Sequence, residues 1–357
     1  MSQPKKPEAK TLAELLANKT IDMLAVAPGQ VIEIWANKVS MDLVEALAFR
    51  IRARGAFWCL RLTSQPLLNR IGKEIRPEYL GLIPEHELRW LDDVDAIIEL
   101  RDHGGHIPDV PIDRRKAMGA EWLALIDAAA AKCIRRVMVV NPTAALAKAY
   151  HLPVEDLRSR LLQAINVDYA SVDALQDRLA GFLSKTTEVH VLSPAGTNLR
   201  LRVNGRKALV DTDSLPLGET YIAPLEDSAN GVAVIDKAFF RGRSVEKLRL
   251  SFKDGRVVDE LAPDPAGVAS FCELLQASNG DKDRLAEFAI GTNPGVTEPI
   301  GNSSLDEKIG GSVHIAIGAN ERFGGVNKSN LHLDKVILKP TVWFDDTLIL
   351  EEGVFKV

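Results

Sequence analysis

Residues 31–63, VIEIWANKVSMDLVEALAFRIRARGAFWCLRLT, contain a predicted strand, helix and second strand in succession. VIEIWA (31–36) and AFWCLRLT (56–63) are short, apolar and rich in β-branched or aromatic residues, which is typical of buried strands. Between them, apolar residues recur at helical spacing over 40–55, and Gly55 supplies a stop signal. The stretch therefore predicts a βαβ unit, in which a helix joins two parallel strands.

The same alternation continues along the chain. A strand is predicted at 95–101, a long helix at 114–133 and a further strand at 135–142, which Pro142 closes. Helical patterns then dominate as far as residue 185. We therefore expect an N-terminal α/β domain with a parallel sheet over residues 1–185.

After residue 185 the pattern changes to short strands with alternating polar and apolar residues. Asn-Gly and Asp-Gly pairs separate these strands, and such pairs are strong signals for hairpin turns; they occur at Asn204-Gly205, Asn230-Gly231 and Asp254-Gly255. One helix, GVASFCELLQAS (267–278), interrupts the strands. Residues 186–357 are thus predicted to form an α+β domain with a mainly antiparallel sheet, so the whole chain is of the α/β class.

Composition limits the possible partners and the compartment. The 357 residues carry a formal net charge of −5, with 46% hydrophobic and 26% charged residues, which is ordinary globular usage. The slight acidity argues against a nucleic-acid partner. Three cysteines without a CxxC pair fit a reducing compartment. The polar N-terminus and the lack of a long apolar run predict no signal peptide and no membrane span, so we expect a cytoplasmic protein.

Several common catalytic motifs are missing from the sequence. It contains no GxxxxGK[ST] phosphate loop, no GxGxxG after the first strand, no HExxH and no GxSxG. The predicted parallel-sheet domain therefore carries no nucleotide-binding fingerprint, and its fold alone says little about function.

Two histidines near the end of the chain are candidate metal ligands. His332 and Asp334 form an H-x-D sequence on a predicted strand, where alternation places both side chains on one face, about 7 Å apart along the strand. His314, in SVHIAIG, shares its face with small residues that leave room for an ion or a substrate. Each has a structural alternative: His314 as a hydrogen-bonded core residue, and Asp334 as a group that only orients the imidazole of His332.

Two glutamates join these candidates. Glu219 and Glu287 each interrupt an apolar segment, and an isolated buried carboxylate is costly unless it is paired or metal-bound. The alternative is a salt bridge to Arg200, Arg202 or Arg206. Together with the histidines and the aspartate, the set exceeds what one tetrahedral zinc needs and indicates two ions that share a bridging carboxylate.

Four segments around these residues resemble the aminopeptidase T family of thermophilic metallopeptidases, which are leucyl-type aminopeptidases. They are LPLGETYIAPLEDSANG, AEFAIGTN, DEKIGGSVHIAIG and NKSNLHLD. In chain order, the resemblance places the family's metal ligands on Glu219, Glu287, His314, His332 and Asp334. The match covers about residues 196–236 and 285–346, while the N-terminal half is similar only in architecture.

The resemblance implies several properties of the chain. It implies one or two divalent ions (zinc, cobalt or manganese), a short peptide or other small substrate, and a homodimer. The family also has a tyrosine ligand seven residues after its first histidine, where this chain has Glu321 in HIAIGANERFGG. Glu321 is either a replacement ligand without a phenol or a surface charge.

A sister group of similar architecture suggests an alternative chemistry. The 2,5-dihydroxypyridine ring-cleaving dioxygenases use one non-haem iron on two histidines and an aspartate. Their first histidine falls at the position of Glu287, and they lack a carboxylate at the position of Glu219. However, His314, His332 and Asp334 have the residue types of a 2-His-1-carboxylate triad for Fe(II).

Two further sets of residues have both a functional and a structural interpretation. His103 and His106 follow a predicted strand, where open α/β sheets place ligands, but a loop with incidental histidines is the simpler interpretation. Lys308 could polarise a carbonyl, and we favour instead a solvated ion pair with Glu307.

The sequence as a whole predicts a metal-dependent hydrolase of amide or peptide bonds that uses metal-activated water. Glu219 or Glu287 is expected to carry the proton to the leaving amine. The alternatives are the Fe(II) dioxygenase and a non-catalytic metal-binding protein that kept the fold but lost the chemistry.

Overall fold

A computed structural model describes residues 11–102, 110–240 and 243–357, with the backbone alone at Ile112. Contacts within the chain divide it into two compact units, Met1–Ala149 and Tyr150–Val357. The sequence-based boundary at residue 185 differs from this division, because it assigns the helices between residues 150 and 185 to the first domain. The position at which an independently folding domain ends stays a prediction. His103 and His106 lie outside the described residues.

The first unit alternates strands and helices, as the opening stretch predicts. Its elements are α1 (Leu12–Leu24), β1 (Val31–Asn37), α2 (Met41–Ala53), β2 (Phe57–Thr63), α3 (Gln65–Glu74), α4 (Glu85–Trp90), β3 (Ala96–Arg101), α5 (Ile112–Ala131), β4 (Arg135–Val140) and α6 (Ala144–Ala149). Short 3₁₀ helices cover Lys38–Ser40, Pro77–Tyr79 and Leu91–Asp93. The strands pair in parallel in the order β2-β1-β3-β4.

The parallel sheet is covered on both faces. Ile32 and Ile34 of β1 point to one face and are fully buried. Trp35 points to the other, where its indole packs against that of Trp122 in α5, with ring centroids 4.7 Å apart. Burial on both faces is the usual condition of a parallel sheet and explains why these strands are nearly continuous apolar runs.

The second unit begins with two helices and continues mainly as strands. Its elements are α7 (Val154–Ile165), α8 (Tyr169–Leu183), β5 (Glu188–Leu192), β6 (Asn198–Arg202), β7 (Leu209–Val210), β8 (Ser214–Leu215), β9 (Glu219–Ile222), β10 (Asn230–Phe240), β11 (Arg243–Lys253), β12 (Arg256–Leu261), α9 (Pro265–Ala277), β13 (Leu285–Gly291), α10 (Ser303–Asp306), β14 (Val313–Gly318), β15 (His332–Ile337), β16 (Thr341–Phe344), β17 (Thr347–Glu351) and β18 (Val354–Phe355). A 3₁₀ helix covers Glu321–Phe323.

Two antiparallel sheets form the second unit. One has eight strands in the order β12-β11-β10-β6-β5-β16-β17-β18, and the other has five in the order β15-β14-β13-β9-β7. Phe288, Ile290 and Ile315 of the five-stranded sheet pack in a core that also contains Leu248 and Phe344 of the eight-stranded sheet. Strand alternation therefore turns the neighbouring residues of β13 and β14 to the opposite face.

The predicted fold class is confirmed: a parallel α/β sheet precedes a mainly antiparallel α+β region. Within the described ranges, no helix combines the length and the apolar character that crossing a membrane requires.

Candidate metal centre

The five predicted ligands all lie on one face of the five-stranded sheet. Glu219 begins β9, Glu287 lies in β13, His314 in β14, and His332 and Asp334 in β15. In the pairing register, Glu219 is opposite Gly291, Glu287 is opposite Ala316, and Ala316 is opposite Asp334. Neighbouring strands therefore present these side chains side by side.

Small residues separate the ligands on this face. Ala289 lies between Tyr221 and His314 in the register, and Ala316 lies between Glu287 and Asp334. Their methyl groups leave space above the sheet that larger side chains would fill. The alternation in SVHIAIG thus turns Val313, Ile315 and Ile317 to the core and His314 and Ala316 to the opposite face, where both are also buried.

Glu219, Glu287 and His314 form the first potential ligand group. The Nε2 atom of His314 lies 3.3 Å from Oε2 of Glu219 and 3.3 Å from Oε1 of Glu287. The ligand atoms of the three residues all lie within 4.8 Å of one another, and all three residues are buried. This group is shielded from solvent, since His314 is only 1% exposed.

Glu287, His332 and Asp334 form the second potential ligand group. The Nε2 atom of His332 lies 3.2 Å from Oε2 of Glu287 and 3.1 Å from Oδ1 of Asp334. The His332 side chain is 32% exposed, so solvent reaches the cluster from this side. Glu287 belongs to both groups and offers one oxygen to each.

Both groups fit a divalent cation. Two ligands that each lie about 2.0–2.1 Å from a tetrahedral zinc are about 3.3–3.4 Å apart, close to the separations found here. The buried Oε2 atom of Glu219 makes no hydrogen bond to any described residue. An unpaired buried carboxylate oxygen is costly, and a cation bound between it and His314 would satisfy it.

The tautomer of His332 suits metal binding through Nε2. Its Nδ1 atom lies 2.7 Å from the backbone carbonyl oxygen of Ala319, which accepts a hydrogen bond from the protonated Nδ1. Such a bond fixes the ring orientation and leaves Nε2 toward the cluster. For His314, the buried Nδ1 atom has no hydrogen-bond partner within the described ranges.

Lys308 lies inside the cluster, so the interpretation of a solvated ion pair with Glu307 is wrong. The residue is 2% exposed, and its Nζ atom lies 2.5 Å from Oε1 of Glu219, 3.1 Å from Oδ2 of Asp211 and 3.7 Å from Oε2 of Glu307. The sequence misled because Lys308 follows two acidic residues, a pattern that is usually solvent-exposed. Here a buried ammonium neutralises part of a buried group of carboxylates.

Gly291 allows the loop that carries Glu307 and Lys308 to pass close to the sheet. A Cβ atom on Gly291 would lie 2.1 Å from the carbonyl oxygen of Ile309 and 2.9 Å from that of Glu307. No side chain can be accommodated at such distances, so glycine is required at the position opposite Glu219 in the register.

The pKa values of the two histidines follow from the carboxylates around them. Burial alone would lower the pKa of His314, but the hydrogen bond to Glu287 and the charge of Glu219 raise it. Burial opposes protonation of His332 as well, yet Asp334 and Glu287 raise its pKa well above the ordinary value. Without a cation, the surrounding carboxylates thus favour the protonated form of both imidazoles.

The pKa values of the carboxyl groups shift in different directions because their partners differ. Burial would raise the pKa of Glu287, but hydrogen bonds with His314 and His332 hold it below its ordinary value. Burial raises the pKa of Glu219 despite the opposing charge of Lys308. Burial, followed by the charges of Asp334 and Glu219, raises the pKa of Glu307 well above its usual range.

The remaining sequence-based alternatives can be compared with the structure. Arg200 pairs with Glu188, Arg202 with Asp227, and Arg206 with Glu226, so these arginines are engaged with other acids. Glu321 lies in a 3₁₀ helix with its side chain 52% exposed, where Lys328 is 3.7 Å away. In the described structure Glu321 belongs to neither ligand group and is placed as a surface charge.

Sequence reasoning missed three residues of the cluster. Gln176 of α8 accepts a hydrogen bond from the backbone N–H of Glu219 at 2.7 Å and so anchors the start of β9. Asp211 pairs with Lys308. Tyr221 shares the ligand face, and its position two residues after Glu219 on a strand was the available signal. Nothing in the local sequence distinguishes Gln176 or Asp211.

Comparisons with known proteins agree with this architecture. The family model described as thermophilic metalloprotease (M29) matches residues 5–345. The fold is similar to that of wild-type AmpT from Thermus thermophilus, with a TM-score of 0.82, 22% identity, and coverage of 97% of this chain and 99% of that chain. It is less similar to 2,5-dihydroxypyridine dioxygenase from Pseudomonas putida KT2440, with a TM-score of 0.63, 15% identity, and 98% coverage of each chain. A comparison with curated protein sequences finds no match.

Proposed function

The chain belongs to the thermophilic metalloprotease (M29) family, and from this premise we propose that it is a metal-dependent aminopeptidase acting on short peptides or related small amides. The observation that carries the proposal is the pair of ligand groups that share Glu287. The resemblance to aminopeptidase T narrows the expected substrate from peptides in general to those with an unblocked N-terminus.

The proposed ligands divide between two cation positions. Glu219, Glu287 and His314 hold one divalent ion, and Glu287, His332 and Asp334 hold the other, with zinc, cobalt or manganese as the expected metal. Bound there, the ions would lower the pKa of a water molecule and polarise the substrate carbonyl.

The charge of the cluster supports two ions rather than one. Five carboxylates and the Lys308 ammonium together carry a formal charge of −4, which two divalent cations would neutralise; the carboxylates are Asp211, Glu219, Glu287, Glu307 and Asp334. Buried like charges of this number are costly unless they are compensated.

Carboxylates of the cluster are suited to move the proton of the attacking water to the leaving amine. We assign this transfer to Glu219 or Glu287, and Glu219 is favoured because Glu287 is shared by both ligand groups. Glu307 belongs to neither group, and its contact with Lys308 at 3.7 Å, which itself contacts Glu219, supports a role as a relay for the proton. Lys308 holds Glu219 through the contact with Oε1, which leaves Oε2 toward His314.

The proposal also includes an oligomeric state and a cellular location. A homodimer is proposed from the family resemblance. A cytoplasmic location is proposed from the sequence, in which the three cysteines form no CxxC pair, and Cys59, Cys133 and Cys272 are all unbridged in the structure.

The Fe(II) dioxygenase is the weaker candidate for this site. It requires His314, His332 and Asp334 to act as a triad, but within the described structure both potential ligand groups contain Glu287. Two carboxylates, from Glu219 and Glu287, would then crowd a site that needs one.

The test is turnover by purified protein loaded separately with zinc, cobalt or manganese in the absence of oxygen. We expect release of the N-terminal residue from a panel of unblocked aminoacyl p-nitroanilides and dipeptides, and none from their N-acetylated forms. His332→Ala should reduce both metal content and turnover, the latter by more than about 100-fold. His86→Ala is the matched control, since this imidazole has a 75% exposed side chain in the first unit.

Each of the two alternative functions predicts a different experimental result. Oxygen uptake with 2,5-dihydroxypyridine by the Fe(II)-loaded protein, without peptide hydrolysis, would replace the proposal with the dioxygenase. Tight metal binding without turnover across the whole panel would indicate a metal-binding protein that is not an enzyme.

A further inference from the structure

Tyr221 is the aromatic residue of β9 that lies on the same sheet face as the proposed ligands. It lies two positions after Glu219 on the strand, so both side chains project to one side. In the register it is opposite Ala289, which is itself opposite His314 on the next strand. The methyl group of Ala289 is thus all that the sheet places between the tyrosine and the histidine.

The ring of Tyr221 is packed against an aromatic neighbour, while its hydroxyl is free to form a hydrogen bond with a ligand. The ring packs edge-on against Phe323, with centroids 5.8 Å apart, and Phe323 packs in the same way against His332 at 5.6 Å. The hydroxyl makes no hydrogen bond to any residue in the described ranges, although the side chain is half-buried. A half-buried phenol normally has a partner.

The phenol of Tyr221 can donate a hydrogen bond on the sheet face that carries the proposed ligands.

Amide hydrolysis needs a hydrogen-bond donor near the carbonyl oxygen of the bound substrate. As water adds to the carbonyl carbon, the carbonyl oxygen gains negative charge, and a preorganised donor stabilises that charge. Lys308 is the other donor nearby, but its ammonium is occupied by Asp211, Glu219 and Glu307. The unpartnered hydroxyl of Tyr221 has no such competing contact.

We infer that Tyr221 is a catalytic residue whose phenol donates a hydrogen bond to the scissile carbonyl oxygen as it becomes an oxyanion. No proton is transferred in this step: the phenol keeps its hydrogen, and the bond strengthens as charge develops. The inference rests on the proposed function, because it assigns a role within the same hydrolysis.

The test is Tyr221→Phe, which removes the hydroxyl and keeps the ring that packs on Phe323. We expect kcat to fall by about 10²–10³-fold, the usual cost of losing one oxyanion donor, with little change in KM. Metal content per chain should equal that of the wild type. Tyr79→Phe is the matched control, since Tyr79 is 52% exposed in the first unit.

A binding measurement gives a readout that is independent of turnover. The probe is 1-amino-3-methylbutylphosphonic acid, in which a tetrahedral, anionic phosphonate replaces the carboxyl group of leucine. Calorimetry should show weaker phosphonate binding by Tyr221→Phe, by at least about tenfold, while the KM for leucine amide, whose planar carbonyl carries no full charge, should be unchanged.

The outcomes distinguish this inference from the proposed function. A wild type that hydrolyses no unblocked substrate with any of the three metals overturns the proposed function. An active wild type whose Tyr221→Phe variant keeps both kcat and phosphonate affinity within twofold overturns only the role of Tyr221. Loss of kcat together with loss of metal also overturns that role, because it would make Tyr221 a structural support of the ligands.

Discussion

The Nε2 atom of His314 and the Oε1 atom of Glu287 lie 3.3 Å apart, although the two residues are 27 positions apart in the chain. The second oxygen of Glu287 lies 3.2 Å from Nε2 of His332. The carboxylate of Glu287 on β13 thus lies between two histidines that belong to two other strands, β14 and β15. This makes Glu287 the residue on which both proposed ion positions depend.

Replacing Glu287 should therefore cost more metal than replacing an outer ligand. We expect Glu287→Ala to lose both ions, because each group would keep only two ligands. Asp334→Ala should lose one ion and keep the one held by Glu219, Glu287 and His314. Elemental analysis after dialysis against a fixed free metal concentration measures the ions per chain.

The control for this comparison is Glu298→Ala, a 67% exposed acid paired with Arg160, which should retain the wild-type metal content. Equal metal loss in Glu287→Ala and Asp334→Ala would show that the two groups do not share Glu287 as a bridge.

Removal of the buried ammonium should destabilise the metal-free protein. Lys308→Met leaves Glu219, Asp211 and Glu307 without their cation, and breaking a buried pair in this way costs about 3–5 kcal/mol. The free energy of unfolding, measured by urea denaturation after chelation, should fall by this amount. Saturating zinc or manganese should restore part of it, because divalent cations neutralise the same carboxylates.

Lys247→Met is the matched control, since this lysine pairs with Asp236 and is 53% exposed. Its effect should stay below about 1 kcal/mol. A Lys308→Met variant as stable as this control would mean that the carboxylates are protonated and need no counter-charge.

Glu321 should be dispensable. Its side chain is 52% exposed and lies 3.7 Å from a lysine side chain that is 79% exposed, so the ion pair is worth little. Glu321→Ala is expected to change stability by less than about 0.5 kcal/mol and to leave metal content and kcat/KM within twofold of the wild type. A loss of one ion per chain would instead make Glu321 the replacement for the family's tyrosine ligand.

Asp306 should make stability fall as the pH rises. Burial raises the pKa of its carboxyl from 3.8 to about 7, against the hydrogen bonds that it accepts from the backbone N–H groups of Ile300 and Gly301. Below about pH 4 both folded and unfolded states hold the proton. Between about pH 4 and 7 only the folded state holds it, so this contribution to stability is lost across that window and stays lost above it.

The full change corresponds to about 4 kcal/mol, since each pKa unit is worth about 1.4 kcal/mol. Asp306→Asn cannot titrate, so the difference in unfolding free energy between wild type and variant should shift in favour of the variant from pH 4.5 to pH 8. Urea denaturation at both pH values measures it. A difference that does not change with pH would mean that the carboxyl is ionised in the folded protein throughout.

Local sequence patterns were sufficient for the fold class and for the identity of the family. Periodicity in residues 31–63 predicts the βαβ unit that forms β1, α2 and β2, because strand and helix signals depend on neighbours a few residues apart. The resemblance of four segments to thermophilic metallopeptidases is confirmed by the family match over residues 5–345. Alternation along one strand also predicts that His332 and Asp334 share a face, and their side chains are in contact.

The amino-acid sequence by itself thus determined the elements, the family and the residue types available for a metal. Only the tertiary structure decided that Glu287 lies between two histidines and that Lys308 is buried against Glu219. Each of these depends on how β9, β13, β14, β15 and the loop before β14 are brought together. Long-range register and loop packing set those contacts, and no local pattern encodes the distance between side chains on different strands.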